Sequence, residues 1–169
     1  MSSQENEDNG IRDATFRIEK RESFHVVGIP QSSDTKSCLG ASWDQFNMIK
    51  GDIPNRTDEV LGYGVQVYPP KNTKDGRVTY MASCEVKDLD AIPVRFFAKT
   101  LPATEYAVFT VTNWNQTVGR AWGAAYGKIL PNSDYKPYLP FDFEHYDERA
   151  FVETPEEQVI EIWIPITRK

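Results

Sequence analysis

Two segments of the chain carry apolar residues at three- and four-residue steps, a spacing that places them on one face of a helix. The apolar positions are Leu39, Trp43, Phe46 and Ile49 in the first segment and Val118, Trp122, Ala125 and Ile129 in the second. Both segments contain a Gly-x-x-Trp pattern, and both are followed by a proline, Pro54 or Pro131, that cannot continue a helix. The pattern predicts two similar helices, each with a tryptophan on its apolar face.

Runs of strand-forming residues flank both predicted helices. The first helix is preceded by runs at 16–19 and 24–29 and followed by runs at 61–68 and 78–86, and the second is preceded by runs at 94–97 and 106–111 and followed by runs at 141–146 and 159–166. With the two runs before each helix taken as one β-rich stretch, each half has the order strand, helix, strand, strand. The predicted fold is α+β, with a module duplicated at about 14–87 and 94–167, two antiparallel sheets and a pseudo-twofold relation between the halves.

The last predicted strand alternates isoleucines with other residues, so its two faces differ. The isoleucine face, at positions 160, 162, 164 and 166, is expected to belong to the core, and Glu161 and Trp163 share the other face. That face is either solvent or a groove, and a tryptophan disfavours open solvent. An anion beside aromatic rings suits a bulky cation, because each ring adds a cation–π attraction of ~0.5–2 kcal/mol. The equivalent position in the first half is near Met81, so the module does not require a carboxylate there.

Composition limits the function classes. The chain has 169 residues, a net charge of −6 and a pI of about 5.0, which makes direct nucleic-acid binding a poor expectation. Two cysteines and two histidines are too few for a metal cluster, and no cofactor is predicted. Residues 1–13 are polar and acidic, which predicts a disordered tail before a single domain at 14–169. No apolar run approaches the ~20 residues of a membrane span, so a cytoplasmic protein is expected.

Three segments of the second half resemble a known family. They are Leu130-Pro131-Asn132-Ser133 after the tryptophan helix, Phe141-Asp142-Phe143-Glu144-His145-Tyr146-Asp147, and the final strand at 159–166. Together with the duplication, they are similar to the gyrase-inhibitor-like, AraC-type effector-binding domains of multidrug-sensing regulators. The resemblance implies a central ligand groove between the modules, lined by aromatic residues, with a glutamate near its floor. Too few residues precede the first strand for a DNA-binding domain, so a stand-alone member is expected.

A set of ligand-binding residues follows from the pattern and the resemblance together. Its members are Glu161, Trp163, Trp122, Tyr63, Tyr106, Phe143, Tyr146 and Trp43. The two repeated tryptophans fill the core or contact the ligand, and Tyr126, one turn beyond Trp122, could lie beside it. Glu144 is grouped with the acidic residues near 147–157 as part of a solvated edge and turn.

Three functions remain open at this point. The first is a binding protein that captures bulky aromatic, often cationic ligands, for transcription regulation or for drug or toxin sequestration. The second, implied by a branch of the family, is a hydrolase of cyclopropane-bearing genotoxic compounds in which Glu161, with a raised pKa, is the general acid or base. The third is a gyrase-inhibitor-like protein that acts on a protein partner. Catalytic residues are not assigned outside the second alternative.

Overall fold

The computed structural model describes residues 8–33, 39–70 and 77–169. Two α-helices are formed there, α1 (Leu39–Ile49) and α2 (Trp114–Ala124), and one π-helical turn, Ala125–Ile129, extends α2. The strands are β1 (Arg17–Arg21), β2 (Phe24–Ser33), β3 (Gly62–Val67), β4 (Val78–Val86), β5 (Phe97–Leu101), β6 (Thr104–Thr112), β7 (Tyr135–Pro137), β8 (Phe141–Tyr146) and β9 (Val159–Arg168). None of the helices in these ranges is long and apolar enough to span a membrane.

The strands form one curled antiparallel sheet in the order β1-β6-β9-β8-β3-β4-β2-β5, and β7 pairs with the end of β9. The α+β class is therefore confirmed. The prediction of two separate sheets is wrong, because β3 and β8 pair with each other in the middle, with Val65 opposite Phe143. This pairing satisfies the backbone groups that two separate sheets would leave open at their inner edges.

The same strand pairing occurs in both halves of the sheet. Phe143 pairs with Trp163 in the second half and Tyr63 pairs with Ser83 in the first, so the residue numbers of the two pairs differ by 80. The edge strands are exchanged between the halves. Strand β1 pairs with β6, and β5, which precedes β6 in the chain, pairs with β2. Between the edge strands, the order β6-β9-β8 from one end of the sheet corresponds to the order β2-β4-β3 from the other end.

Both helices cover the same side of the sheet, which we call the helix face. Successive residues of a strand point to opposite sides of the sheet. On the helix face, Gly64 of β3 lies in register with Ala82 of the neighbouring strand β4 and with Glu144 of the neighbouring strand β8. Ala82 packs in the cluster that contains α1, and Ile162 packs in the cluster that contains α2. The opposite face carries its own apolar cluster, formed by Phe24, Val26, Tyr63, Val65, Met81, Leu101, Tyr106, Val108, Phe141, Phe143 and Trp163.

Several boundaries differ from the sequence prediction. Strand β5 begins at Phe97, where the predicted run at 94–97 ends, and Val94 is fully exposed. The helix α2 begins at Trp114, four residues before Val118, and its first turn holds Trp114 against the backbone carbonyl of Ala150 by a 3.1 Å hydrogen bond from Nε1. The polar turn predicted between β3 and β4 spans 69–76, and its residues 71–76 lie outside the described residues.

The predicted tail at 1–13 is corrected in part. Residues 1–7 lie outside the described residues, but the segment that follows them packs against the fold. Ile11 is buried in the α2 cluster and forms a β-bridge with Val111, and the carbonyl of Gly10 accepts a 2.9 Å hydrogen bond from the backbone of Thr112. A Cβ on Gly10 would lie 2.2 Å from the hydroxyl of Thr117. Gly10 and Ile11 are therefore part of the packed fold.

Candidate ligand-binding site

A cavity of about 710 Å³ lies between α1 and α2 above the helix face. Its volume falls within the ~300–1,000 Å³ typical of small-molecule sites. The lining residues are Gly40, Trp43, Asp44, Phe46, Asn47, Lys50, Val60, Leu61, Gly62, Trp114, Asn115, Val118, Glu144, Tyr146 and Phe151. Most of the buried lining is aromatic or aliphatic, while Asp44, Asn47 and Asn115 are exposed at the rim.

Glu144 is the buried acidic residue of this cavity, and only 3% of it is exposed. Its carboxylate accepts hydrogen bonds of 2.9 Å from Nε1 of Trp122, 2.8 Å from the hydroxyl of Tyr146 and 3.1 Å from the hydroxyl of Tyr80. All three donors are neutral, and the ion pairs among the described residues do not involve Glu144. The carboxylate is thus fixed in position, while its charge has no cationic partner among these residues.

Both repeated tryptophans take part in this network. Trp122 binds Glu144 directly, and Nε1 of Trp43 donates a 2.8 Å hydrogen bond to the hydroxyl of Tyr80, which in turn donates to Glu144. Burial, together with the negative charge of Glu144, raises the pKa of Tyr80 and of Tyr146 well above the ordinary value. Both phenols therefore remain protonated and remain donors to the carboxylate.

Two glycines of β3 make room for the network. A Cβ on Gly64 would lie 2.2 Å from the hydroxyl oxygen of Tyr80 and 2.9 Å from Oε2 of Glu144. A Cβ on Gly62 would lie 2.9 Å from the ring of Trp43. These distances are too short for ordinary contacts, so a side chain at either position would displace the groups that hold or line the site.

Aromatic rings form the walls on both sides of Tyr146. Its ring centroid lies 5.0 Å from that of Trp43, on α1, and 5.2 Å from that of Trp114, on α2, and both contacts are edge-to-face. The rings therefore come from both helices and from the sheet between them. Such a wall suits a bulky aromatic ligand, because ring pairs add about 0.5–1.5 kcal/mol beyond simple burial.

The structure divides the predicted site residues into two groups. Trp43 and Tyr146 line the cavity, Trp122 contacts Glu144 at its floor, and Tyr126 stacks on Trp122 with ring centroids 6.1 Å apart. The other five lie on the opposite face and do not line this cavity: Glu161, Trp163, Tyr63, Tyr106 and Phe143. The alternation that separates Glu161 from the isoleucines is present, but the cavity lies on the isoleucine side.

The aromatic cluster of the opposite face already contains a cation of the protein itself. The guanidinium carbon of Arg21 lies 3.5 Å from the ring centroid of Phe24 and 5.3 Å from that of Tyr63. The same guanidinium donates hydrogen bonds of 2.7 Å to Glu85 and 3.1 Å to the hydroxyl of Tyr63. The cation that packs on these rings is therefore an arginine of the protein itself.

Glu161 is likewise satisfied internally. It accepts hydrogen bonds of 2.8 Å from Arg17 and 3.0 Å from Nε1 of Trp163, and Arg149 lies 3.3 Å away. Burial by itself would raise the pKa of Glu161, but the approach of His145 and the contacts with Arg17 and Trp163 outweigh it and lower the pKa to about 2. Glu161 is therefore ionised and paired at neutral pH.

Glu144 is the functional candidate that sequence reasoning missed. A signal was available in the run Phe141-Asp142-Phe143-Glu144-His145-Tyr146, because period two places Glu144 with Tyr146 and apart from the phenylalanines. The assignment to a solvated edge is wrong, since β8 is a central strand with β3 on one side and β9 on the other. A carboxylate on a central strand is covered by whatever packs on that face.

The profile of the Cass2 family, described as integron-associated effector-binding proteins, matches residues 17–166. The chain belongs to this family. The resemblance to effector-binding domains is thereby confirmed. Among the relatives of this Cass2-family chain, the transcriptional regulator BrlR of Pseudomonas aeruginosa is 28% identical over 92% of the chain, which spans 57% of the regulator's length. A DNA gyrase inhibitor of Serratia proteamaculans is 39% identical over 78% of the chain and 86% of its own length.

Solved structures share the fold. SAV2435, determined bound to tetraphenylphosphonium, superposes with a TM-score of 0.72 at 18% identity and covers 90% of this chain and 93% of its own. The integron cassette protein Cass2 of Vibrio cholerae superposes with a TM-score of 0.64 at 18% identity and covers 90% of this chain and 96% of its own. At 18% identity, these two superpositions show that both proteins share the fold of this Cass2-family chain.

Proposed function

We propose that this Cass2-family protein binds bulky, aromatic organic cations in the cavity between α1 and α2, with Glu144 as the counter-ion. One observation carries the proposal: a buried carboxylate faces the cavity and is held only by neutral donors among the described residues. A buried charge without an opposite charge is costly. A cationic ligand lowers that cost, whereas a neutral ligand of the same shape gains only from packing against the rings.

The shape of the cavity agrees with a large ligand. Trp43, Phe46, Trp114 and Tyr146 supply flat aromatic surface on several sides of the space, and the volume is about 710 Å³. SAV2435, which has the same fold, was determined with tetraphenylphosphonium, a cation with four phenyl groups. That compound is therefore a rational first probe for this chain.

The biological role that follows is ligand sensing or sequestration. The regulator BrlR contains a matching region in about half of its length, which supports a sensing role for the module in this chain as well. The net charge of −6 argues against direct contact with nucleic acid. The hydrolase alternative, with Glu161 as general acid or base, gains no support. A carboxyl with a pKa of about 2 has no proton to give at neutral pH, and its carboxylate is a weak base that is already paired with Arg17.

We also propose that the two halves are copies of one module related by a pseudo-twofold axis between β3 and β8. The equal strand pairing at a separation of 80 residues supports this, and the tryptophans at 43 and 122 agree with it to within one residue. Superposing the two halves in a crystal structure of the protein, with each residue matched to the one 80 positions later, tests the relation. A better fit at another separation, or helices on different elements, would contradict it.

Binding measurements with charged and neutral probes test the proposed function. Titration calorimetry with tetraphenylphosphonium is expected to give a dissociation constant about ten- to a hundredfold weaker for Glu144→Gln than for the wild type, since one charge-assisted contact is lost. The matched control is Glu161→Gln, which removes a carboxylate of the opposite face. Neutral triphenylphosphine oxide is expected to bind both variants as it binds the wild type. Equal phosphonium affinity of the wild type and Glu144→Gln would remove Glu144 from the site.

A further inference from the structure

A second cavity, of about 500 Å³, is lined in part by Tyr126, whose ring stacks on that of Trp122. Its lining residues differ from those of the first cavity, so it is a separate space. Tyr68, which follows β3, and Tyr126, in the π-helical turn after α2, form its floor, and Tyr138 with neighbouring prolines forms an outer wall. Single π-helical turns are uncommon and are found frequently at functional sites.

The floor of this cavity rests on a second buried carboxylate of β8. The hydroxyls of Tyr68 and Tyr126 both donate to Oδ2 of Asp142, each at 2.6 Å, and Asp142 has no exposed surface. Asp142 is two residues from Glu144 on the same strand, so both carboxylates lie on the helix face. Glu144 lines the first cavity and is bonded by Trp122, whereas Asp142 is bonded by Tyr126, which lines the second.

The direction of these hydrogen bonds determines what the cavity can bind. A phenol has one hydrogen to donate and two lone pairs that accept. Because the hydroxyls of Tyr68 and Tyr126 both give their hydrogens to Asp142, each oxygen can only accept from a ligand. Burial and the charge of Asp142 raise the pKa of both phenols above the ordinary value, so both remain protonated in a negative potential. A donor-rich cation fits these conditions, and an anion does not.

We propose that this second cavity binds a primary ammonium group attached to a flat apolar body. The ammonium donates to the oxygens of Tyr68 and Tyr126 above Asp142, and the apolar part packs on Tyr138 and the adjacent prolines 137 and 140. A quaternary cation, without N–H donors, cannot make the same hydrogen bonds. The two cavities therefore take different cations, and the second site is distinct from the one at Glu144.

The test uses 2-phenylethylammonium as the probe and the Glu144→Gln protein as the background, so that the first cavity is weakened for cations. Titration calorimetry is expected to show one remaining site for this probe. Adding Asp142→Asn, which keeps an acceptor for both tyrosines, is expected to weaken that site about tenfold or more. The neutral analogue 2-phenylethanol is expected to bind equally with and without this second change.

A pair of substitutions at the outer wall gives an independent measurement. Tyr138 is half exposed and its hydroxyl contacts Thr104, so its replacement leaves the buried carboxylates in place. Tyr138→Ala is expected to weaken binding of 2-phenylethylammonium severalfold, and Tyr138→Phe, which keeps the ring, is expected to retain it. Absence of binding in Glu144→Gln, or equal affinity after Asp142→Asn or Tyr138→Ala, overturns the proposal. Loss of tetraphenylphosphonium binding in Asp142→Asn, with the tetraphenylphosphonium affinity of Glu144→Gln unchanged, would instead contradict the function proposed for the first cavity.

Discussion

Glu144 and Glu161 lie on adjacent hydrogen-bonded strands and point to opposite faces of the sheet. Glu161 pairs in register with His145, and Glu144, one position before His145, pairs with Ile162. Because successive residues of a strand point to opposite faces, the two carboxylates lie on opposite sides of the sheet. Glu144 meets three neutral donors beside a cavity, whereas Glu161 meets Arg17 and Arg149. The first arrangement has no cationic partner among the described residues, which is the basis of the proposed ligand site, whereas the second pairs the carboxylate within the fold.

Glu161→Gln is expected to lower the free energy of unfolding at pH 7 without changing cation binding. The folded pKa of Glu161, about 2, lies below the ordinary value of 4.5. The ionised Glu161 therefore stabilises the folded state by an amount of order 3 kcal/mol at most. This contribution is complete above about pH 4.5 and is lost as the pH falls toward 2. Urea unfolding of wild type and variant at several pH values measures the difference. A difference that does not shrink between pH 5 and pH 3 would contradict this role.

Gly64→Ala is expected to weaken cation binding and to destabilise the fold by about 1–3 kcal/mol, because the new Cβ would collide with Tyr80 and Glu144. Gly123→Ala, in α2, is the matched control, since a Cβ there meets nothing within 4 Å. The control is expected to stabilise the protein by up to ~1 kcal/mol through helix propensity. Calorimetric binding and thermal melts of both variants check this, and unchanged binding in Gly64→Ala would show that the network tolerates displacement.

Ile11→Ala is expected to cost about 2 kcal/mol or more of stability, because Ile11 is buried against α2 and β6. Ile18→Ala serves as the comparison, since Ile18 is 41% exposed on the edge strand β1. Its cost is expected to stay below about 1 kcal/mol. Denaturant unfolding of the two variants gives the values. Equal costs would mean that the segment before β1 contributes little to the core.

Much of the fold could be predicted from periodicity, and the reasons for the exceptions are physical. The two tryptophan helices and most of the strands appear where the pattern places them, because amphipathic spacing is local information. The pairing of β3 with β8 is not local. It depends on which edges meet when both halves fold, and the sequence of either strand gives no sign of its partner.

The candidate site was predictable only in part for the same reason. Alternation in β9 separates Glu161 from the isoleucines correctly, but it does not say which face the helices cover. Arg17 and Arg21 come from β1, a strand of the first half that joins the second half by exchange. Without that contact, a glutamate beside a tryptophan has the same appearance as a ligand site. The neutral environment of Glu144 likewise depends on Tyr80, from a distant strand.

The location of the bound cation is the most direct test of the account. Crystals grown with tetraphenylarsonium, in which arsenic gives an anomalous signal, would show the position of the charged atom without reference to any variant. The account predicts one strong anomalous peak between α1 and α2, beside the carboxylate of Glu144 and surrounded by Trp43, Trp114 and Tyr146. A peak on the opposite face beside Glu161 and Trp163, or an empty cavity in crystals of a protein that binds the compound in solution, would contradict it.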